Sequence, residues 1–238
     1  MTSESGPKAL AVVVARLGSK GLSGKNTRDF LGKPLVETSI LQAMSANLIS
    51  KVIVSSDDRR TLDIASRYAL EVVVRPSEIA SDDSPVGQAI LHSIDSIIPD
   101  AEDQLTIVLV EPTSPLRPKG FIDACLQTYW ASGADSAVSV GKSASQHPLF
   151  SASMTPEGLL SKSDGSLFAY ARRQDIPDSF YLDGSFYATR LELLRRSGQM
   201  YSGSILGIPV NKWQEIEIDD LDDFVMAESL GVLHRDEL

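Results

Sequence analysis

Residues 9–26 read ALAVVVARLGSKGLSGKN, and this stretch decides the fold. Ala9–Ala15 is a continuous apolar run without alternation, the pattern of a strand covered on both faces, as in a parallel sheet. It runs directly into Gly18, Gly21 and Gly24, with Arg16, Lys20 and Lys25 interleaved. Glycines let backbone N–H groups approach an anion closely, and lysine and arginine add positive charge. The motif is not G-x-x-x-x-G-K-[ST], because Asn26 follows Lys25, and it is not G-x-G-x-x-G. Solvated lysines on an open loop are the bland alternative. Three cations and three glycines directly after a buried strand favour an anion cradle.

Working outward, short β-branched runs alternate with longer helical patterns, the signature of βαβ units. Strands are expected at Lys51–Ser56, Glu71–Arg75, Leu105–Glu111 (the innermost) and Asp135–Gly141. Helices are expected at Pro34–Met44, 59–70, Gly87–Ile98 and 119–132. The rhythm breaks between about Lys142 and Phe180, then resumes with strands at Ser185–Thr189, 203–210 and Trp213–Asp219 and a closing helix over 222–233. A long stretch without period inside a compact chain is usually functional, as a lid or an arm. The fold class is therefore α/β: a doubly wound, mostly parallel, Rossmann-like sheet, one domain over 9–238 carrying an insertion at about 142–184. Residues 1–8 are expected to be disordered.

Composition narrows the function. The 238 residues carry a formal net charge of −10, which argues against a nucleic-acid surface. A single cysteine, Cys125, leaves no disulfide framework or cysteine-rich metal site and is expected in the core. The polar start MTSESGPK lacks a signal-like apolar segment, no run is long enough to span a bilayer, and the terminal RDEL is read as coincidence. A cytoplasmic protein is expected.

In open α/β sheets ligands bind at the carboxyl ends of strands, and four motifs fall there. After the first strand come Arg16, Ser19, Lys20, Gly21, Lys25 and Asn26. After the third, RPSEIASDD offers Arg75 to a phosphate or a base carbonyl, with Ser81, Asp82 and Ser84 as ligand contacts or helix caps. After the fourth, VEPTSPLR supplies Glu111, Thr113 and Ser114, and Arg117 either binds an acidic substrate or pairs with a surface carboxylate. Last, EIEIDD places Glu215, Glu217 and Asp219 on one face of an expected strand. Their repulsion needs an offset: Mg2+ is the simplest, a solvated edge strand capped by Asp220 the alternative. The histidines lack metal-ligand spacing, and no serine or cysteine triad is evident.

ARLGSKGLSGKN, RPSEIASD, PTSPLR, RRQDIPDSFYLDGSFY and IEID occur in the order and spacing of the CMP-sialic acid synthetases. From Ala9 to Glu228 the chain resembles these acylneuraminate cytidylyltransferases and the related CMP-legionaminate enzymes. The resemblance implies a Mg2+-dependent homodimer that couples CTP to a nine-carbon 2-keto sugar acid and releases pyrophosphate, its insertion reaching over the partner's site. Carried over, Arg16, Ser19, Lys20 and Lys25 hold the CTP phosphates, and Asn26, Arg75 and Ser81 lie near cytosine and ribose. Arg173 and Gln174 reach the sugar from the arm, Asp183 lies on the sugar side, and Glu217 and Asp219 hold Mg2+. Departures fall mainly on the sugar side: Glu111 stands where the family has glutamine, Phe150 where lysine is common, and Leu182–Gly184 read LDG in place of PNG. Glu217 stands for the usual aspartate of the metal pair. Rival readings are a CMP-Kdo-like octulosonate cytidylyltransferase and a catalytically silent nucleotide-binding dimer partner.

Overall fold

A computed structural model of the chain describes residues 7–18, 21–81, 84–143, 147–162 and 176–238. Its main sheet has seven strands: β1 (Ala9–Ala15), β2 (Ile49–Ser56), β3 (Glu71–Val74), β4 (Thr106–Val110), β5 (Ser136–Lys142), β6 (Phe180–Arg190) and β7 (Ile205–Pro209). Six helices accompany them: α1 (Leu35–Ser45), α2 (Arg59–Ser66), α3 (Val86–Ile97), α4 (Phe121–Ser132), α5 (Leu191–Ser197) and α6 (Leu221–Leu233). The strand order is β7-β5-β6-β4-β1-β2-β3, so β4 holds the middle of the sheet, as the sequence predicts. Only β6 runs antiparallel to its neighbours, pairing with β4 on one side and β5 on the other.

The alternation hidden in the all-apolar first strand emerges here. Ala9, Ala11, Val13 and Ala15 face one layer with Val36 and Ile40 of α1 and Ile122 and Leu126 of α4. Leu10 and Val12 face the other, with Ile90 and Ile94 of α3 and Leu191 and Leu194 of α5. A doubly wound sheet has to bury both faces, so β1 carries no polar residue. Cys125 lies in the first layer, buried, with its thiol pushed up to about 12 by that burial.

Two expectations about elements are corrected. Trp213–Asp219 is not a strand: Lys212–Gln214 form one 3-10 turn, capped reciprocally by Asn211 and Gln214, and 215–219 join no sheet. The segment instead docks on the loop after β4, where the Ile218 N–H donates to the Thr113 carbonyl at 2.7 Å. Alternation survives without a ladder: Ile216 and Ile218 pack with Phe30, Leu116 and Phe224 in a third apolar cluster. Second, α3 begins after Pro85 with no side-chain cap, and the Ser81 and Ser84 hydroxyls hydrogen-bond each other at 2.7 Å. Asp220 does cap α6, accepting from the Asp223 N–H.

The insertion is the connection between antiparallel neighbours, since the β5–β6 ladder runs out to the pair Lys142–Phe180. Its described part holds a two-residue hairpin, Ser153–Met154 against Leu160–Ser161. His147 is structural there: Nδ1 accepts from the Leu149 N–H, and Nε2 lies 3.0 Å from the Pro177 carbonyl. The expected disorder of the N-terminus concerns residues that are, for 1–6, outside the described set.

Candidate active site

Strand order reverses between β1 and β4: β2 and β3 follow outward on one side, while β4 opens the other. A crevice outside the carboxyl ends of the strands is the expected consequence. A cleft of about 300 Å³ lies there, with Arg16 and Lys25 beyond β1, Arg75 beyond β3 and Glu111 and Thr113 beyond β4. Asn26, Ser81, Glu217 and Asp219 also line it. Residues from four distant parts of the chain thus meet at one cleft. Ser19, Lys20, Arg173 and Gln174 lie outside the described residues.

The basic wall is held by backbone contacts. Lys25 is buried, and its Nζ donates to the Ile218 carbonyl at 2.5 Å and sits 3.5 Å from Asp219 Oδ1. It therefore ties the loop after β1 to the acidic segment. Gly21 serves that same junction: a Cβ there would lie 2.3 Å from the Asp219 carbonyl oxygen, so only glycine lets the two backbones touch. Asn26 Nδ2 donates to the Arg16 carbonyl at 2.9 Å. Arg75 is 5% exposed and its Nε donates to the Ile79 carbonyl at 2.7 Å. Burial lowers its pKa, Asp57 opposes that shift, and the like charge of Arg16 adds to it.

The acidic wall carries a charge excess. Burial pushes the Glu111 carboxyl up to about 7; Glu217 adds to the shift, and Arg117 and Lys25 oppose it. Glu217 is raised first by burial and then by Asp219, with Lys25 and a Thr113 hydrogen bond acting the other way. Gly184, at φ +80°, brings the backbone between them: its Cβ would sit 3.5 Å from both Glu111 Oε2 and the Glu217 carboxyl carbon. Glu215 takes no part, since its carboxylate accepts from Tyr181 Oη at 2.8 Å and from the Lys142 N–H. Among the described residues no three His, Cys, Asp or Glu side chains converge into a protein-only metal cage. Glu217 and Asp219, both on the cleft wall, are a donor pair that fits Mg2+, which takes one or two carboxylates and completes its shell with water and substrate phosphate.

The raised Glu111 carboxyl has a stability consequence with a definite sign. A folded-state pKa above the unfolded one means that unfolding releases a proton between them, so stability falls as pH rises from about 4.5 to about 7. Glu111→Gln is expected to stabilise the metal-free, nucleotide-free protein increasingly over that window, by about 2 kcal/mol more at pH 8 than at pH 5. Urea midpoints at the two pH values measure it, and a gain independent of pH contradicts the assigned burial.

Three predicted contacts are corrected. Arg117 does not line the cleft and, among the described residues, pairs with no surface carboxylate: at 1% exposure it lies beneath the cleft as a fork. Nε donates to the Ser185 carbonyl at 2.6 Å, Nη2 to the Glu111 carbonyl at 2.8 Å and Nη1 to Gln42 Oε1 at 3.0 Å. Burial lowers its pKa to about 10, against the pull of Glu111 and Asp183. Ser114 is fully buried, its hydroxyl 3.4 Å from the Asp183 carbonyl. Asp183 is 1% exposed, and neither carboxylate oxygen has a hydrogen-bond partner among the described residues. All three support the floor of the site and do not line it. Asp57, passed over in the sequence, lies at the end of β2 and accepts from the Leu17 N–H at 2.7 Å. Its strand-end position was the available signal.

Fold and site together define a nucleotide-handling α/β protein in which a cationic loop at the switch point faces an acidic wall. The chain belongs to the cytidylyltransferase family, whose sequence profile matches residues 10–201. It is 30% identical over 239 residues to the CMP-N,N'-diacetyllegionaminic acid synthase of Legionella pneumophila, covering 97% of this chain and 99% of that one. It is 28% identical over 221 residues to the N-acylneuraminate cytidylyltransferase of Streptococcus agalactiae, covering 92% of this chain and 52% of the relative, about half its length. Its fold matches a CMP:2-keto-3-deoxy-manno-octonic acid synthetase complexed with CTP, at TM-score 0.67 and 16% identity over 97% of this chain and all of that one. A 4-diphosphocytidyl-2C-methyl-D-erythritol synthase matches at TM-score 0.64 and 11% identity over 94% and 99% of the two chains.

Proposed function

We propose that the chain transfers the cytidylyl group of CTP to the anomeric hydroxyl of a 2-keto-3-deoxy sugar acid of the sialic or legionaminic type, giving the CMP-sugar and pyrophosphate. The observation that carries this reading is the pairing, across one cleft at the β1/β4 switch point, of Arg16, Lys25 and Arg75 with Glu111, Glu217 and Asp219. The Legionella relative, which aligns along nearly its full length, is named for a reaction of this class.

In the reaction, the sugar oxygen forms a bond to the α-phosphorus as the bond to the leaving pyrophosphate breaks, and the hydroxyl proton passes to a carboxylate of the acidic wall or to water. Negative charge accumulates on oxygens facing the basic wall. Arg16 and Lys25, with Lys20, hold the β- and γ-phosphates and stabilise that charge; fixed cations in a partly dry cleft do so without reorganising. Arg75, Asn26 and Ser81 take the nucleoside end, and Arg173 and Gln174 the sugar. Glu217 and Asp219 would hold Mg2+, which when bound supplies charge neutralisation at the phosphates and fixes their orientation. Most of the remaining acceleration is positional.

The protein is further read as a homodimer whose connection 143–179 reaches a second copy. Met154, Leu159 and Leu160 there are 71%, 69% and 59% exposed, apolar surface of the kind that marks an interaction site. Nucleotide selectivity tests the cleft assignment. CTP is expected to bind at least about tenfold more tightly than UTP, the value of one well-placed hydrogen bond to a buried polar group. Equal affinities by calorimetry contradict the placement of the base near Asn26 and Arg75.

A further inference from the structure

The peptide group joining Arg16 to Leu17 is held at both of its polar atoms by side chains from elsewhere. Its carbonyl accepts from Asn26 Nδ2 at 2.9 Å, and its N–H donates to Asp57 Oδ1 at 2.7 Å. Asp57 follows Ser56, the last residue of β2, whose carbonyl accepts from the Arg75 N–H at 2.9 Å. The Asp57 carboxylate thus lies against the backbone of the cationic loop, and its charge also acts on the Arg75 guanidinium. Helix capping does not account for it. Asp58 is the N-cap of α2, its carboxylate accepting from the Arg60 N–H at 3.0 Å, so α2 has its cap without Asp57. A residue that fixes one peptide plane fixes where the attached side chain departs, because the Cα positions on either side are set with it.

We propose that Asp57 is a positioning residue for the nucleotide phosphates: it anchors the Arg16–Leu17 peptide and so aims the Arg16 side chain into the cleft. The aim toward phosphate rests on the reading of the cleft as a CTP site; the anchor itself does not. Asp57→Ala removes both acceptor and charge, whereas Asp57→Asn keeps an oxygen able to accept from the Leu17 N–H.

Amide hydrogen exchange on the nucleotide-free protein reads the anchor without substrate. The Leu17 amide is expected to exchange about tenfold faster in Asp57→Ala and near the parent rate in Asp57→Asn, as the loss of one hydrogen bond to a charged acceptor requires. The α2 amides, capped by Asp58, remain protected in both variants and show that the fold is kept. Calorimetric titration with CTP reads the positioning: Asp57→Ala binds about tenfold more weakly, and Asp57→Asn loses about threefold or less. An unchanged Leu17 exchange rate in Asp57→Ala overturns the anchor. Faster exchange with CTP affinity within about twofold of the parent overturns the positioning role. A parent protein that itself fails to bind CTP overturns the phosphate reading, and the exchange measurement then still decides the anchor.

Discussion

Asp219→Ala is expected to lower Mg2+-dependent pyrophosphate release about a thousandfold while leaving the fold intact. The Asp219 side chain is 78% exposed, and its one described ion pair, to Lys25 at 3.5 Å, is of a kind that contributes between about 0 and 1 kcal/mol to stability. Its backbone carries the local structure instead: the Asp219 N–H donates to Asp223 Oδ2, and its carbonyl packs on Gly21. Truncating the carboxylate leaves those contacts in place and removes half of the proposed metal pair. The thermal midpoint therefore stays within about 2 °C of the parent value. Near-normal turnover in Asp219→Ala would sink the metal assignment.

Arg117→Met is expected to act in the opposite manner, through the fold. The guanidinium satisfies two backbone carbonyls and an amide oxygen from β6, the loop after β4 and α1, and its charge faces Glu111 and Asp183. Methionine fills much of the volume but strands those acceptors and leaves buried carboxylates without a counter-charge. Removing one partner of a buried charge cluster costs about 3–5 kcal/mol. Lysine does not rescue it, because one ammonium cannot reproduce a planar fork directed at three acceptors. Urea denaturation measures the loss; a change below about 1 kcal/mol in either variant contradicts the described fork.

The same residue marks the limit of what the sequence discloses. Arg117 stands at a strand end in a motif that reads as substrate-facing, and position along the chain does not say whether a side chain turns toward solvent or beneath the floor. Chain topology decides that, by bringing Ser185 and Gln42 under the loop. Much else was legible: the buried first strand, the central place of β4, the switch-point cleft and the parity that puts Glu217 and Asp219 on one side all follow from local pattern. The supposed strand Trp213–Asp219 shows why pattern alone falls short, since alternation records which side chains are buried and not whether a ladder partner exists. Gly21 looked like phosphate chemistry, yet its smallness is required by the Asp219 carbonyl some two hundred residues away. Asp57 went unread because nothing within a few residues of it reports the Leu17 amide it accepts from.

On the proposed reading, Glu111 is the residue that most affects which sugar acid fits. Its ionised form cannot donate to a substrate as the amide of glutamine does and repels a carboxylate beside it, whereas its protonated form, favoured by burial up to about pH 7, donates one O–H. With Asp183 buried beneath the floor and Glu217 beside Glu111, this end of the cleft is strongly acidic.

Pyrophosphate release from CTP and Mg2+ across a panel of nonulosonic and octulosonic acids tests the central claim most directly. The account predicts release, with stoichiometric CMP-sugar, from at least one sialic- or legionaminic-type nine-carbon acid, and little from the eight-carbon acid. Turnover of the octulosonate alone, or CTP binding without release from any acid in the panel, would contradict it.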